Sequence, residues 1–297
     1  DARASPAEQP RERLVEFLAA GPQLDPDYVA AGLMILDCHL CDLFSFAFPG
    51  RVYPVNPKYE EVLGYACYPD ISRIPEPVDV ALILVAAQRA PATLEAAIKA
   101  GCRSAIIFAS GMAEAGPEGE AIQREVRRLA FEAGIRVLGP NCLGLINIAD
   151  GIVLSGAAAL QREVMVSGAI GIAAQSGGVM GSILDRAWEE RIGFSYAFST
   201  GNEADLTLAD CLEFMIADPR TRVVALFIEA IRDLALFRAA CERAADLGKA
   251  VVALKMGRSE PARRVALTHT AALTGTDEAF DALDDLELVG DVLEHAE

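Results

Sequence analysis

Basic charge is scarce in this chain. Its 297 residues hold 26 Lys and Arg against 43 Asp and Glu, a formal net charge of −17 at pH 7. No basic stripe offsets that excess, which argues against a binder of nucleic acid or of anionic membrane. Any phosphate group must then be held locally, by backbone N–H groups at helix starts and a few placed cations. Histidine occurs only three times and tryptophan once. No apolar run reaches the roughly 20 residues that a membrane-spanning helix needs, and no secretory signal is visible. The seven cysteines are odd in number and scattered, so they read as reduced residues of a cytoplasmic protein. Cys38-His39-Leu40-Cys41 has Cys-x-x-Cys spacing but lacks the second pair of a four-ligand zinc site. No metal site is expected.

What remains is a chain 53% hydrophobic and long enough for two domains. From about residue 50, short apolar runs alternate with helical periods, the pattern of βαβ units around parallel sheets. The first half predicts strands at 51–55, 80–86, 104–109 and 136–138, with helices at 91–100 and 118–133. The second half predicts strands at 169–174, 194–198, 223–228 and 250–255, with helices at 178–190, 206–217 and 234–247. The glycine- and alanine-bearing stretch 148–167 is expected to be a loose join, giving domains at 1–148 and 149–297.

In open parallel sheets, ligands gather beyond the carboxyl ends of the strands. Four segments fall there. Asn56-Pro57-Lys58 combines stiff backbone, one amide side chain and one cation, which suits a nucleotide moiety as well as it suits a plain turn. Ser110-Gly111 and Gly139-Pro140-Asn141 place glycine where backbone can approach a ligand closely. Gln175-Ser176-Gly177-Gly178 follows an apolar strand and opens a helix, so Ser176, Gly177 and Gly178 aim N–H groups and the positive helix end at one spot. That is a phosphate cradle.

Two further residues carry chemistry. His269 sits in the small polar segment Thr268-His269-Thr270-Ala271, and imidazole is a nucleophile at neutral pH that also leaves readily. Glu229 ends the apolar run 223–228, where a carboxylate is costly unless paired. Facing His269, it would fix the imidazole tautomer and leave the other nitrogen for attack.

Together and in this order, these segments resemble the nucleoside-diphosphate-forming acyl-CoA synthetases, a family that includes the alpha subunit of succinyl-CoA synthetase and the ADP-forming acetyl-CoA synthetases. The resemblance covers about residues 48 to 283 and rests on several motifs. They are Phe-Pro-Gly-Arg-Val-Tyr-Pro-Val-Asn-Pro-Lys from 48, Gly-Pro-Asn-Cys-Leu-Gly from 139 and Ala-Gln-Ser-Gly-Gly from 174, then Ser-Thr-Gly-Asn-Glu-Ala-Asp from 199, Phe-Ile-Glu from 227 and Thr-His-Thr-Ala-Ala-Leu-Thr-Gly from 268. It implies an α/β protein, a Rossmann-like CoA-binding domain followed by a flavodoxin-like domain. It implies coenzyme A as a ligand, a phosphohistidine at His269 with Glu229 as its orienting carboxylate, and phosphate held by Ser176, Gly177 and Gly178. Asn56, Pro57 and Lys58 would touch CoA, and Asn141 would line the thioester region. A small carboxylic acid would be the acyl partner, with an ATP-grasp domain or subunit supplying the Mg-nucleotide site and an oligomer as the working form.

The chain also departs from that pattern. The family opens with a strand and a glycine-rich turn that cradles the CoA phosphates, whereas the first fifty residues here contain only Gly21, Gly32 and Gly50, and no apolar strand is expected before a glycine cluster. Ala271 stands where glycine is usual, which stiffens the loop slightly. The ATP-grasp domain is expected on a separate subunit or elsewhere in a longer chain. The degenerate opening favours an alternative, a non-catalytic CoA- or nucleotide-sensing module on the same fold.

Overall fold

The computed structural model describes residues 30–34, 51–62, 64–156 and 166–256. Two parallel sheets organise them. The first runs in the order β2 (Arg51–Pro54), β1 (Ala30–Met34), β5 (Val80–Ile83), β6 (Ser104–Ile107), β7 (Arg136–Leu138), all parallel. A short hairpin, β3 (Glu61–Val62) and β4 (Tyr65–Ala66), lies between β2 and β5 in sequence. The chain steps from β1 outward to β2, then returns to the other side of β1 at β5, so a topological switch point lies beside β1.

The period-2 alternation of each strand divides the apolar side chains between two cores. Ala81, Ile83, Ala105, Ile107 and Val137 meet helices α1 (Ala90–Lys99) and α2 (Pro117–Ala133). Leu82, Ile106 and Leu138 face the other way and join a cluster that contains Tyr196, Phe198, Leu208 and Leu212 of the second half. The two halves therefore share one continuous core. Proline stands at the first turn of both α1 and α2, where its missing N–H costs nothing, and Gly134 ends α2 at φ 67°.

The second sheet runs in the order β13 (Ala250–Lys255), β12 (Val223–Ile228), β10 (Ser167–Ala174), β11 (Phe194–Ser199), β8 (Gly144–Asn147), β9 (Ile152–Ser155). β10 to β13 are parallel, and the β8–β9 hairpin adds an antiparallel edge. Helices α3 (Gly177–Glu189), α4 (Leu208–Ala217) and α5 (Leu234–Asp246) make the crossovers, started by Ser176, by a Thr207–Asp210 capping box and by Asp233. β10 lies between β11 and β12, so the second switch point is at its carboxyl end. Among the described residues no helix is long and apolar enough to cross a membrane.

The α/β class and the expected strands and helices hold to within a few residues. Two expectations are corrected. Ala30–Met34 is a strand, because pairing on both sides by β2 and β5 decides its conformation where its composition does not. The stretch expected as a loose join contains β9, and with β8 the chain already enters the second sheet at Gly144. That hairpin is set by long-range pairing to β11 and by Asn147, whose side chain ties the turn at Asp150.

Candidate functional site

All strands of the first sheet point their carboxyl ends the same way, so the loops at 55–58, 108–116 and 139–143 share one edge. Asn56 is 3% exposed, and its Oδ1 accepts the Lys58 N–H at 3.0 Å, which closes a tight turn and leaves Pro57 and Lys58 on the surface. Ser110 is exposed, but the Gly111 N–H is not available to a ligand. Glu114 Oε1 accepts it, along with the Met112 N–H at 3.3 Å. The segment after Leu138 is unusual in its backbone: Gly139, Asn141 and Gly144 have φ of 96°, 55° and 82°, around a cis Gly139–Pro140 bond. Cys142, next in line, is buried, and burial pushes its thiol up to about 12, so no thiolate serves here.

That loop is stitched to the second sheet's carboxyl edge. Ala204 N–H donates to Gly139 O and Asn202 N–H to Pro140 O, both at 2.9 Å, and Leu206 N–H donates to Val137 O at 3.1 Å. Gly201 has φ 58°, and a Cβ there would sit 2.2 Å from Pro140 O, so glycine is required by both conformation and space. Arg136 Nη2 reaches Asp205 Oδ1 at 2.6 Å while the Val137 N–H donates to Asp205 Oδ2 at 2.8 Å, a nearly buried ion pair across the same seam. Asn141 is thus brought against the second domain's loop 200–206, its Nδ2 donating to Asn202 Oδ1 at 3.2 Å, and Gly111 is linked to that loop through Glu114.

At the second switch point the chain leaves β10 through Gln175. Its Oε1 accepts the N–H groups of Glu229 and Ala230 at 2.6 and 2.9 Å, and its Nε2 donates to Ala230 O at 2.6 Å. One amide side chain therefore fixes the end of β12 to the start of α3. Ser176 caps that helix, its Oγ accepting the Val179 N–H at 3.4 Å. The N–H groups of Gly177 and Gly178 lie in the first turn, where no intrahelical partner exists. A Cβ on Gly177 would meet Leu143 Cγ at 2.5 Å, whereas one on Gly178 would meet nothing within 4 Å among the described residues. Glu229 is 6% exposed at the tip of β12, beside this helix start. His269 lies outside the described residues, as do Thr268 to Gly275 and the Cys38–Cys41 pair.

Sequence patterns did not single out Glu203. It is buried, takes φ 58°, and accepts from Thr200 Oγ1 at 3.0 Å and from the Leu208 N–H at 2.9 Å. Burial pushes its carboxyl up to about 7, against the opposing pull of Arg232 and hydrogen bonds from Gln175, Leu208 and Thr200. Asn202 and Glu114, which meet across the seam, were likewise not singled out. The Ser199–Asp205 motif was visible, but its contacts lie 61 to 88 residues away in sequence.

Chemically, first-turn N–H groups at a helix start suit an anion, and at the second edge the side chain of Gln175 fixes the backbone of the buried Glu229 beside that start. Residues 167–285 match a succinyl-CoA ligase like flavodoxin domain, and residues 43–148 match a CoA binding domain. An ADP-forming acetate–CoA ligase (II) of Archaeoglobus fulgidus is 36% identical over 80% of this chain and 34% of its own length. The alpha subunit of the corresponding Pyrococcus furiosus ligase (II) is 34% identical over 78% of this chain and 50% of its own. The solved acetyl-coenzyme A synthetase 1 of Ca. Korarchaeum cryptofilum, in complex with phosphate and ADP, superposes with a TM-score of 0.80 at 30% identity, covering 90% of this chain and 59% of that one. The chain thus spans about a third to a half of the curated relatives it matches.

Proposed function

Since the chain belongs, through both of its domains, to the nucleoside-diphosphate-forming acyl-CoA synthetase family, we propose that it is the CoA-binding, phosphohistidine-carrying subunit or fragment of such an enzyme. The reaction is acyl-CoA + phosphate + nucleoside diphosphate to acid + CoA + nucleoside triphosphate. A phosphate oxygen attacks the thioester carbonyl, the C–S bond breaks and CoA leaves as its thiol, giving an acyl phosphate. An imidazole nitrogen of His269 then attacks phosphorus, the bond to the acyl oxygen breaks, and the carboxylate departs. The phosphoryl group passes from nitrogen to the nucleotide, which a partner ATP-grasp domain holds with its Mg²⁺. The relatives' ADP-forming activity argues for ADP as acceptor and a small carboxylic acid as product.

In this reading the first turn of α3 binds the phosphoryl oxygens through Ser176, Gly177 and Gly178, where fixed N–H dipoles stabilise the charge that builds on them. Glu229 holds the imidazole in the tautomer that presents its nucleophilic nitrogen. Lys58 offers a cation to CoA beside Asn56 and Pro57, and Ser110 and Asn141 lie toward the thioester. A cytoplasmic setting and an oligomeric form with the ATP-grasp partner belong to the same proposal. The observation that carries it is the clamp of the Gln175 side chain on the backbone of Glu229 and Ala230, which fixes the tip of β12 beside the glycine-opened start of α3.

The test is direct. With acyl-CoA, labelled phosphate and a matching ATP-grasp subunit, the wild type takes up acid-labile label, and H269A and E229Q take up none or at least a hundredfold less. The engaged Gly111 N–H and the glycine-poor opening favour the second reading, a sensing module. CoA binding with no label on the wild type would establish that alternative.

A further inference from the structure

Asn202 is 2% exposed, and all of its polar atoms are engaged at the seam. Its Nδ2 donates to Glu114 and, at 3.0 Å, to Gln123 Oε1. Its Oδ1 accepts from Asn141 Nδ2 at 3.2 Å, and its backbone N–H and C=O engage Pro140 O at 2.9 Å and Arg232 Nη2 at 3.3 Å. Apart from Arg232, those partners belong to the first domain's ligand edge or to α2. Glu114 in turn holds the Gly111 and Met112 N–H groups. On the other side, the next residue, Glu203, accepts from Thr200 Oγ1 at 3.0 Å, the Thr200 N–H donates to Ala174 O at 2.9 Å, and the adjoining Gln175 holds the backbone of Glu229 and Ala230. A single polar line therefore runs from the Ser110–Gly111 loop to the start of α3. Buried hydrogen-bonded lines of this kind are stiff, because each member pays a desolvation cost if it lets go.

We propose that Asn202 is a positioning residue that couples CoA beside Ser110 and Asn141 to phosphate at the Ser176–Gly178 helix start, with Glu114 as its partner across the seam. The inference rests on the enzyme reading for the identity of the two ligands. A side chain that only glued the domains together would lower stability without linking two affinities. Coupling instead makes each ligand alter the affinity of the other by the same factor.

Calorimetric titration of the full chain with CoA, with and without saturating inorganic phosphate, reads that factor. Phosphate is expected to tighten CoA binding of the wild type about fivefold. N202D keeps the acceptor for Asn141 but loses both donors and opposes Glu114 with like charge. It is expected to bind each ligand alone within about threefold of wild type and to show a factor near one. N202D/E114Q, which exchanges donor and acceptor, regains most of the factor. E114Q, at a half-buried loop position, lowers the factor by itself and serves if N202D does not fold. A wild type that binds both ligands with no mutual effect, or an N202D that keeps the factor, overturns the coupling alone. A wild type that binds neither ligand overturns the enzyme reading, and the coupling falls with it.

Discussion

The two sheets end in comparable loops, yet they treat their backbone donors in opposite ways. At the first edge, a proline removes one N–H from the first turn of α1 and of α2, and Glu114 takes the Gly111 N–H. At the second edge, α3 begins with two glycines behind a serine cap, and its first N–H groups face outward. At the first edge the Gly111 loop is tied through Glu114 to the other domain, whereas the first turn of α3 keeps its two glycines. In the proposed enzyme, a chain of net charge −17 would hold phosphate at that second point through a helix-end field that is local and fixed.

The largest effect is expected where the two edges meet. Gly201→Ala adds a methyl 2.2 Å from Pro140 O at a residue with φ 58°. Backbone would have to part from backbone, at a cost of about 3 kcal/mol or more. Denaturant unfolding should show that loss, and phosphate labelling should disappear with it. If Gly201→Ala is neutral, the seam is not the rigid element described here.

Next comes Glu203, just behind the seam. Its carboxyl lies at about 7 in the folded chain against 4.5 normally, chiefly through burial, so folding favours its proton. Its contribution is best when it is protonated in both states, declines as pH rises from about 4.5 to about 7, and stays reduced above. E203Q is neutral throughout and keeps an acceptor for Thr200 and the Leu208 N–H. It should gain on the wild type across that window by up to about 3 kcal/mol. Thermal melts of both proteins at pH 5 and pH 8 measure the gap, and a gap that does not grow with pH refutes the assignment.

This contrast between edges was only partly legible in the sequence. The apolar runs at 223–228 and 250–255 and the Ser-Gly-Gly helix opening announce themselves locally, because strand periodicity and capping are short-range properties. β1 and the β8–β9 hairpin did not, since their conformation is decided by partners far along the chain. The same reason hides Asn202 and Glu203. Nothing within ten residues of Asn202 tells that its amide meets Glu114 and Asn141. His269 was legible from its motif alone, and its place in the fold lies outside the described residues.

Within the second edge, Gly177 and Gly178 separate two reasons for a glycine. A methyl at 177 would press on Leu143 Cγ at 2.5 Å and Ser199 Oγ at 3.0 Å. Gly177→Ala should therefore cost about 1–2 kcal/mol of stability as well as at least tenfold in phosphate uptake.

Gly178→Ala is the smaller and sharper case. Among the described residues, beyond its chain neighbours and its own helix backbone, no atom lies within 4 Å of the added methyl, and no left-handed φ demands glycine. By folding alone alanine should be preferred, since glycine in a helix costs roughly 0.5–1 kcal/mol relative to it. Stability should thus rise slightly while labelled phosphate uptake falls severalfold, because none of the described residues fills the space kept open at 178. Uptake equal to wild type would mean that the Gly178 position needs only its N–H, and that the close approach reserved by glycine belongs to Gly177 alone.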